Sequence, residues 1–232
     1  MKSCFSYDRI ASVYDLLSYF AFFGRIQQAQ RYYLSQIPDG SNVLFLGGGT
    51  GWLLPDLFLS SHSRHITYIE ASANMLLKAQ NTVLRFQRQH PNTPIPSITF
   101  IYGTEQQIPF SSKYDVAITN FLLDMYSGSD LLTLVNRISK HLTDEAIWLF
   151  SDFHLSEHPR QRIWQKPLLS LMYYFFHLTA GIAIQPLPDF ADVFGRFGWR
   201  STHGSTFYQG FIRSQVYRRT KDVIPDAVAE DR

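Results

Sequence analysis

A short apolar run, Val43-Leu44-Phe45-Leu46, leads into Gly47-Gly48-Gly49-Thr50-Gly51, and a carboxylate, Glu70, ends the next apolar run. Glycines let a backbone turn sharply and approach a ligand closely. Exposed backbone N–H groups at such a turn, where a helix begins, favour an anionic ligand group. A carboxylate about twenty residues further on is placed to accept both hydroxyls of a ribose. The chemistry on offer is therefore recognition of a nucleoside.

The glycine spacing narrows the choice of nucleoside. A dinucleotide fingerprint reads G-x-G-x-x-G. Counted from Gly47, its third glycine falls on Trp52, and counted from Gly48 its later glycines fall on Thr50 and Leu53. G-x-G-x-G fits instead, at Gly47, Gly49 and Gly51.

Three residues elsewhere are candidates for moving a proton. Asp124 follows a strand-like run, as a base, a substrate contact or a local cap. His154 follows another, two residues after Asp152, and an unperturbed imidazole titrates near neutral pH. His177 lies in an aromatic stretch, as a pocket residue or a hydrogen-bonded core histidine.

These residues need a scaffold, and the apolar pattern supplies one. Strands are expected at 43–46, 65–70, 98–102, 114–119 and 146–151. They alternate with helices at 53–59, after Ser72 (with Met75, Leu76, Ala79 and Val83 inward) and at 131–141. Such alternation implies a parallel sheet covered on both faces. A helix is read over 9–36, a short one over 190–197, and a closing antiparallel hairpin over 201–207 and 211–217. The expected fold class is α/β, a Rossmann-like, mostly parallel seven-stranded sheet with helices on both faces. One domain is expected. It comprises an N-terminal helical cap (1–37), a cofactor-binding core (41–155), an inserted aromatic helix (156–188), a closing helix and hairpin (189–219) and a tail (220–232).

With these elements in place, four segments resemble the class I S-adenosylmethionine-dependent methyltransferases, nearest to the small-molecule group similar to quinone-biosynthesis C-methyltransferases. The strand with Gly47-Gly48-Gly49-Thr50-Gly51 is similar to the family's first motif. Ile69-Glu70-Ala71-Ser72-Ala73-Asn74-Met75-Leu76 is similar to its second. Gly103-Thr104-Glu105-Gln106-Gln107-Ile108-Pro109-Phe110 resembles its third, and Tyr114-Asp115-Val116-Ala117 with Asn120-Phe121 its fourth. Tyr14-Asp15-Leu16-Leu17-Ser18 is similar to the family's cap. The resemblance covers roughly 7–155 and the terminal hairpin.

It implies S-adenosylmethionine as cofactor, held by Gly47, Gly49, Thr50, Gly51, Glu70, Ala71, Met75, Thr104, Glu105, Asn120, Phe121 and Tyr14. Thr104 stands where the family usually has the Asp that meets the adenine amino group. No Asn-Pro-Pro-Tyr follows the fourth strand, which argues against methylation of nucleobases or glutamine amides. The expected reaction is in-line methyl transfer to a small, apolar or aromatic acceptor. Positioning supplies much of the rate, and a base is needed only where the acceptor must lose a proton.

The run 168–184 carries no charge apart from a protonated His177. Three readings stay open. It is a helix lidding the site, which is preferred. It is an oligomer contact (a homodimer through 168–184) or a membrane-surface contact. Or it is a span, which is discounted because it would separate 190–217 from the sheet they should complete.

Bulk properties remove other classes. A net charge of +2 gives no electrostatic case for nucleic acid. One cysteine, Cys4, makes no internal disulfide and no Cys-rich zinc site. With no secretory signal at the N-terminus, a cytoplasmic location is expected. A nicotinamide oxidoreductase and a non-catalytic cofactor-binding or assembly protein remain as alternatives.

Overall fold

The computed structural model describes residues 24–126, 128–180 and 186–220, without the side chains of 175–180. Seven strands are β1 (Asn42–Leu46), β2 (His65–Glu70), β3 (Ser97–Tyr102), β4 (Tyr114–Asn120), β5 (Leu142–Phe153), β6 (Trp199–Phe207) and β7 (Ile212–Arg219). They form one sheet in the order β3-β2-β1-β4-β5-β7-β6. The first five run parallel, and β7 pairs antiparallel with β5 and with β6. The expected α/β sheet and closing hairpin are therefore present. The order reverses between β1 and β4, so the crevice at their carboxyl ends is where such a sheet takes a ligand.

Period-two alternation assigns the two faces. Leu44, Leu46, Ala117, Trp148, Phe150 and Tyr217 pack under α4 (Gly128–Lys140) and α6 (Phe190–Arg196). Val43, Phe45, Val116, Ile118, Leu149 and Val216 pack under α2 (Leu54–Ser60) and α3 (Ala73–Gln89). Ser72 caps α3 as expected, its side chain accepting from Met75 N. Ser72→Ala is expected to lower stability by about 1 kcal/mol, read as a shifted urea midpoint with an unchanged slope.

Two expectations are corrected. In its described part, the helix read over 9–36 is broken. Gly24, at φ 72, starts α1 (Arg25–Arg31), and a 3-10 turn follows at Leu34–Gln36. Tertiary contact overrides propensity here. The Tyr33 hydroxyl bonds Ser205 on β6 at 3.0 Å, and Tyr32 packs edge-on against Phe207. Residues 9–23, Tyr14 among them, lie outside the described residues. The second correction is Met75, which is only half-buried, whereas Leu76, Ala79, Val83 and Phe86 make the inward face.

The described part of the aromatic stretch, 168–180, forms the second half of a 22-residue helix, α5 (Pro159–Ala180). Among the described residues no helix is long and apolar enough to cross a membrane. Gln165 fastens the early part of α5, accepting from Ser156 N and donating to Gln209 O. Further along, Leu169 and Tyr173 pack with Phe121, Phe153, Phe207, Phe211 and Ile212, a third apolar cluster at the carboxyl ends of β4 and β5. Leu171 and Tyr174 face outward.

Candidate active site

The glycine loop leaves β1 with Gly47, Gly49 and Gly51 all at positive φ. Strand β2 holds it from two residues on one face of the strand. Glu70 accepts from Gly49 N at 2.8 Å, and the Tyr68 hydroxyl donates to Gly49 O at 2.9 Å. The other Glu70 oxygen accepts from Ser72 N at 2.8 Å. One peptide unit on each side of Gly49 is thus fixed, and the Glu70 carboxylate is oriented by two backbone donors. Tyr68 was not anticipated. The signal that could have found it is its position two residues before Glu70, on the same side of a pleated strand.

Gly51 lies against α3, where an added Cβ would come within 2.7 Å of Ala79 Cα and Cβ. With φ 72 added, Gly51→Ala should cost about 2 kcal/mol and loosen the loop from α3. A lowered thermal midpoint with weakened cofactor binding is the expected readout. At Gly49, by contrast, a Cβ would meet nothing closer than Met75 Sδ at 4.0 Å. Among the described residues the loop is therefore packed at Gly51 and uncovered at Gly49, beside Met75. Thr50 O accepts from Thr82 at 3.3 Å, and Ala71 sits half-buried between Glu70 and the α3 cap.

The third segment departs from expectation. Thr104 caps a 3-10 turn at Glu105–Gln107 in a reciprocal capping box. Its hydroxyl accepts from Gln106 N, and Gln107 reaches back to Thr104 N. That hydroxyl spends one of its two acceptor sites on the turn. Glu105 is half-buried in the first position of the same turn.

At the end of β4, Asn120 is buried, and its Nδ2 has no hydrogen-bond partner among the described residues. A buried unpaired amide costs free energy and calls for a partner. Phe121 follows at φ 51, in the left-handed region that side chains avoid. Its N–H donates to Ser151 O at 2.7 Å, and its ring meets Phe153 edge-on.

Asp124 and Asp152 come together under α5. Asp152, fully buried, accepts from Asp124 N and Phe153 N. Tyr173 of α5 donates to Asp124 Oδ2 at 3.4 Å. Burial raises the Asp124 carboxyl from 3.8 to about 6. Burial, then repulsion from Asp124, holds Asp152 well above the usual carboxylate range. Tyr173 is the other residue not singled out beforehand. One tyrosine in a run of aromatics gives no sign of which ring will turn toward a carboxylate.

His154 is corrected as a base. Its Nε2 accepts from Arg213 Nη2 at 2.8 Å, which occupies the lone pair that would take a proton. Burial, then the Arg213 charge, lowers the imidazole to about 4. His177 lies in the last turns of α5, with its side chain outside the described residues. Trp52, where a dinucleotide fold needs glycine, carries Arg31 over its ring at 5.1 Å.

No protein-family model matches this sequence, and no curated protein matches it. Solved structures do match. The mitomycin 7-O-methyltransferase MmcR aligns over 84% of this chain and 54% of its own, with a TM-score of 0.62 and 18% identity. The 1,6-didemethyltoxoflavin-N1-methyltransferase of Burkholderia thailandensis, solved with 1,6-didemethyltoxoflavin and S-adenosylhomocysteine, aligns over 94% and 88% (TM-score 0.63, 13% identity). The magnesium protoporphyrin IX methyltransferase of Synechocystis PCC 6803, solved with S-adenosylhomocysteine, aligns over 84% and 82% (TM-score 0.59, 16% identity). This chain spans about half the length of the mitomycin protein. At these identities the likeness is one of fold. The chain has the Rossmann-like fold of the class I S-adenosylmethionine-dependent methyltransferases.

Proposed function

We propose that this protein is an S-adenosylmethionine-dependent methyltransferase acting on a small, apolar or aromatic acceptor. The observation that carries the reading is Gly49, gripped through its N–H by Glu70 and through its C=O by Tyr68 at the switch point of a methyltransferase-type sheet.

The residues present fit the cofactor. Among the described residues, nothing covers the loop at Gly49, and the Asn120 amide is buried without a partner. Glu70, already oriented by two backbone donors, would hold the ribose hydroxyls, since an ionised carboxylate accepts about four hydrogen bonds. Met75 and Phe121 would wall the nucleoside, and Asn120 and Glu105 would offer polar contacts. When bound, the cofactor supplies a methyl group already activated on a sulfonium, so alignment of the acceptor is the main task of the chain.

Asp124 is the base in this reading. Its raised carboxyl titrates close to neutral pH, where a base is both ionised and able to hold a proton. It takes the proton of an acceptor hydroxyl or amine at a carboxylate oxygen, with Tyr173 and the neighbouring backbone fixing its orientation. Helix α5 excludes water from this end of the sheet, as a lid does. The test is transfer of a labelled methyl group from S-adenosylmethionine to a panel of phenols and aromatic amines. Transfer that Asp124→Asn abolishes, with S-adenosylhomocysteine binding intact, is the expected result. Binding with no transfer to any acceptor would make the protein a cofactor-binding module instead.

A further inference from the structure

Among the described residues, the exposed arginines are solvated or paired. Arg31 meets Asp56, Arg196 meets Asp192, and Arg219 meets Asp144. Among the described residues only Arg213 and Arg219 are half-buried, and Arg213 has no ion pair. Its hydrogen bond goes to the neutral imidazole of His154. A guanidinium taken partly out of water beside an uncharged ring is short of a counter-charge, which a structure ordinarily supplies.

Its position gives that shortage a meaning. Arg213 is the second residue of β7 and is paired in register with Asp152 of β5. It therefore stands at the carboxyl ends of the parallel strands, the edge where the glycine loop and Asp124 lie. Two strand spacings separate β7 from β4, roughly 10 Å, which a small aromatic molecule spans. Between them β5 sets buried Asp152 opposite Arg213, and the apolar cluster of Phe153, Phe211 and Ile212 with Leu169 and Tyr173 of α5 lies alongside. The charged groups acting on His154 are Arg213, Glu157 and Arg162, a net positive surrounding. An anion arriving there would meet a fork of N–H donors and an imidazole able to turn its N–H to a second acceptor.

We propose that Arg213 with His154 forms an anion-recognising subsite, and that the acceptor is an apolar or aromatic molecule bearing a carboxylate. The planar guanidinium suits a carboxylate, which it can bind through two parallel bonds. This deepens the methyltransferase reading and rests on it for the word acceptor, while the subsite stands or falls by its own measurement.

The probes are 4-hydroxybenzoate and its neutral isostere 4-hydroxybenzamide, titrated calorimetrically into the full chain with and without S-adenosylhomocysteine. The acid is expected to bind about 10-fold to 100-fold more tightly than the amide, and Arg213→Gln to remove that preference. S-adenosylhomocysteine affinity should be unchanged in Arg213→Gln. A second readout needs no variant. The His154 imidazole, followed by NMR, should titrate at higher pH when the acid is bound. Equal binding of acid and amide with an unmoved His154 overturns the subsite, whatever the cofactor does. Acid preference with no binding of S-adenosylhomocysteine keeps the subsite and removes the methyltransferase reading.

Discussion

Glu70→Gln is expected to weaken S-adenosylhomocysteine binding about 100-fold while leaving the fold intact. The carboxylate accepts from Gly49 N and Ser72 N, one at each oxygen. A glutamine has one oxygen and one NH2, so one of these backbone donors would face another donor. That is a buried clash of like dipoles in place of a charge-assisted bond, costing about 1.5–3 kcal/mol. The same change removes half of the acceptor capacity proposed for the ribose. The clash exists without ligand and so lowers stability too, while the lost acceptor capacity falls on the ligand; Gly49 keeps its second anchor at Tyr68, so the loop still folds. Calorimetry on wild type and variant reads the ratio. Equal affinities would mean that Glu70 only shapes the loop. Tyr68→Phe, which loses one neutral bond, should cost less.

A pH effect of opposite sign to the usual carboxylate is expected from Asp124. Its folded value lies near 6 against 3.8 when solvated, because burial disfavours the charge. Between roughly pH 4 and 6 the native chain therefore binds the proton more tightly than the unfolded chain. By linkage, the contribution of this group falls as pH rises through that window and is flat above it. The full cost is on the order of 3 kcal/mol at neutral pH. Asp124→Asn removes the charge and keeps the volume. The variant should be more stable than wild type at pH 7.5 and nearly level with it at pH 4, seen in urea midpoints at the two values. A difference that does not change with pH would contradict the account. Added stability together with lost methyl transfer is the trade expected of a charge kept for chemistry.

Much of the scaffold could be read from residue order, because each of the five parallel strands contains a short apolar run. The glycine loop and Glu70 were legible for the same reason: both lie at strand ends, where backbone requirements restrict the residue type. Features made by distant segments were not. Asp124, Asp152 and Tyr173 are separated by up to 49 positions and meet only because α5 crosses the sheet edge. His154 looked like a base when seen alone, yet Arg213, 59 positions away, takes its lone pair. The capping box that Thr104 forms with Gln107 was likewise not visible in the motif. Local pattern finds where a ligand can lie. Which side chains carry charge there depends on neighbours brought in from elsewhere.

The central claim is a nucleoside site at the glycine loop that takes S-adenosylmethionine. Calorimetric titration of the full chain with S-adenosylhomocysteine, with NADH titrated in parallel, tests it most directly. Saturable binding of S-adenosylhomocysteine at one site per chain, weakened about 100-fold in Glu70→Gln and absent for NADH, is the predicted result. No heat from S-adenosylhomocysteine up to millimolar concentration, or saturable binding of NADH in its place, would contradict it.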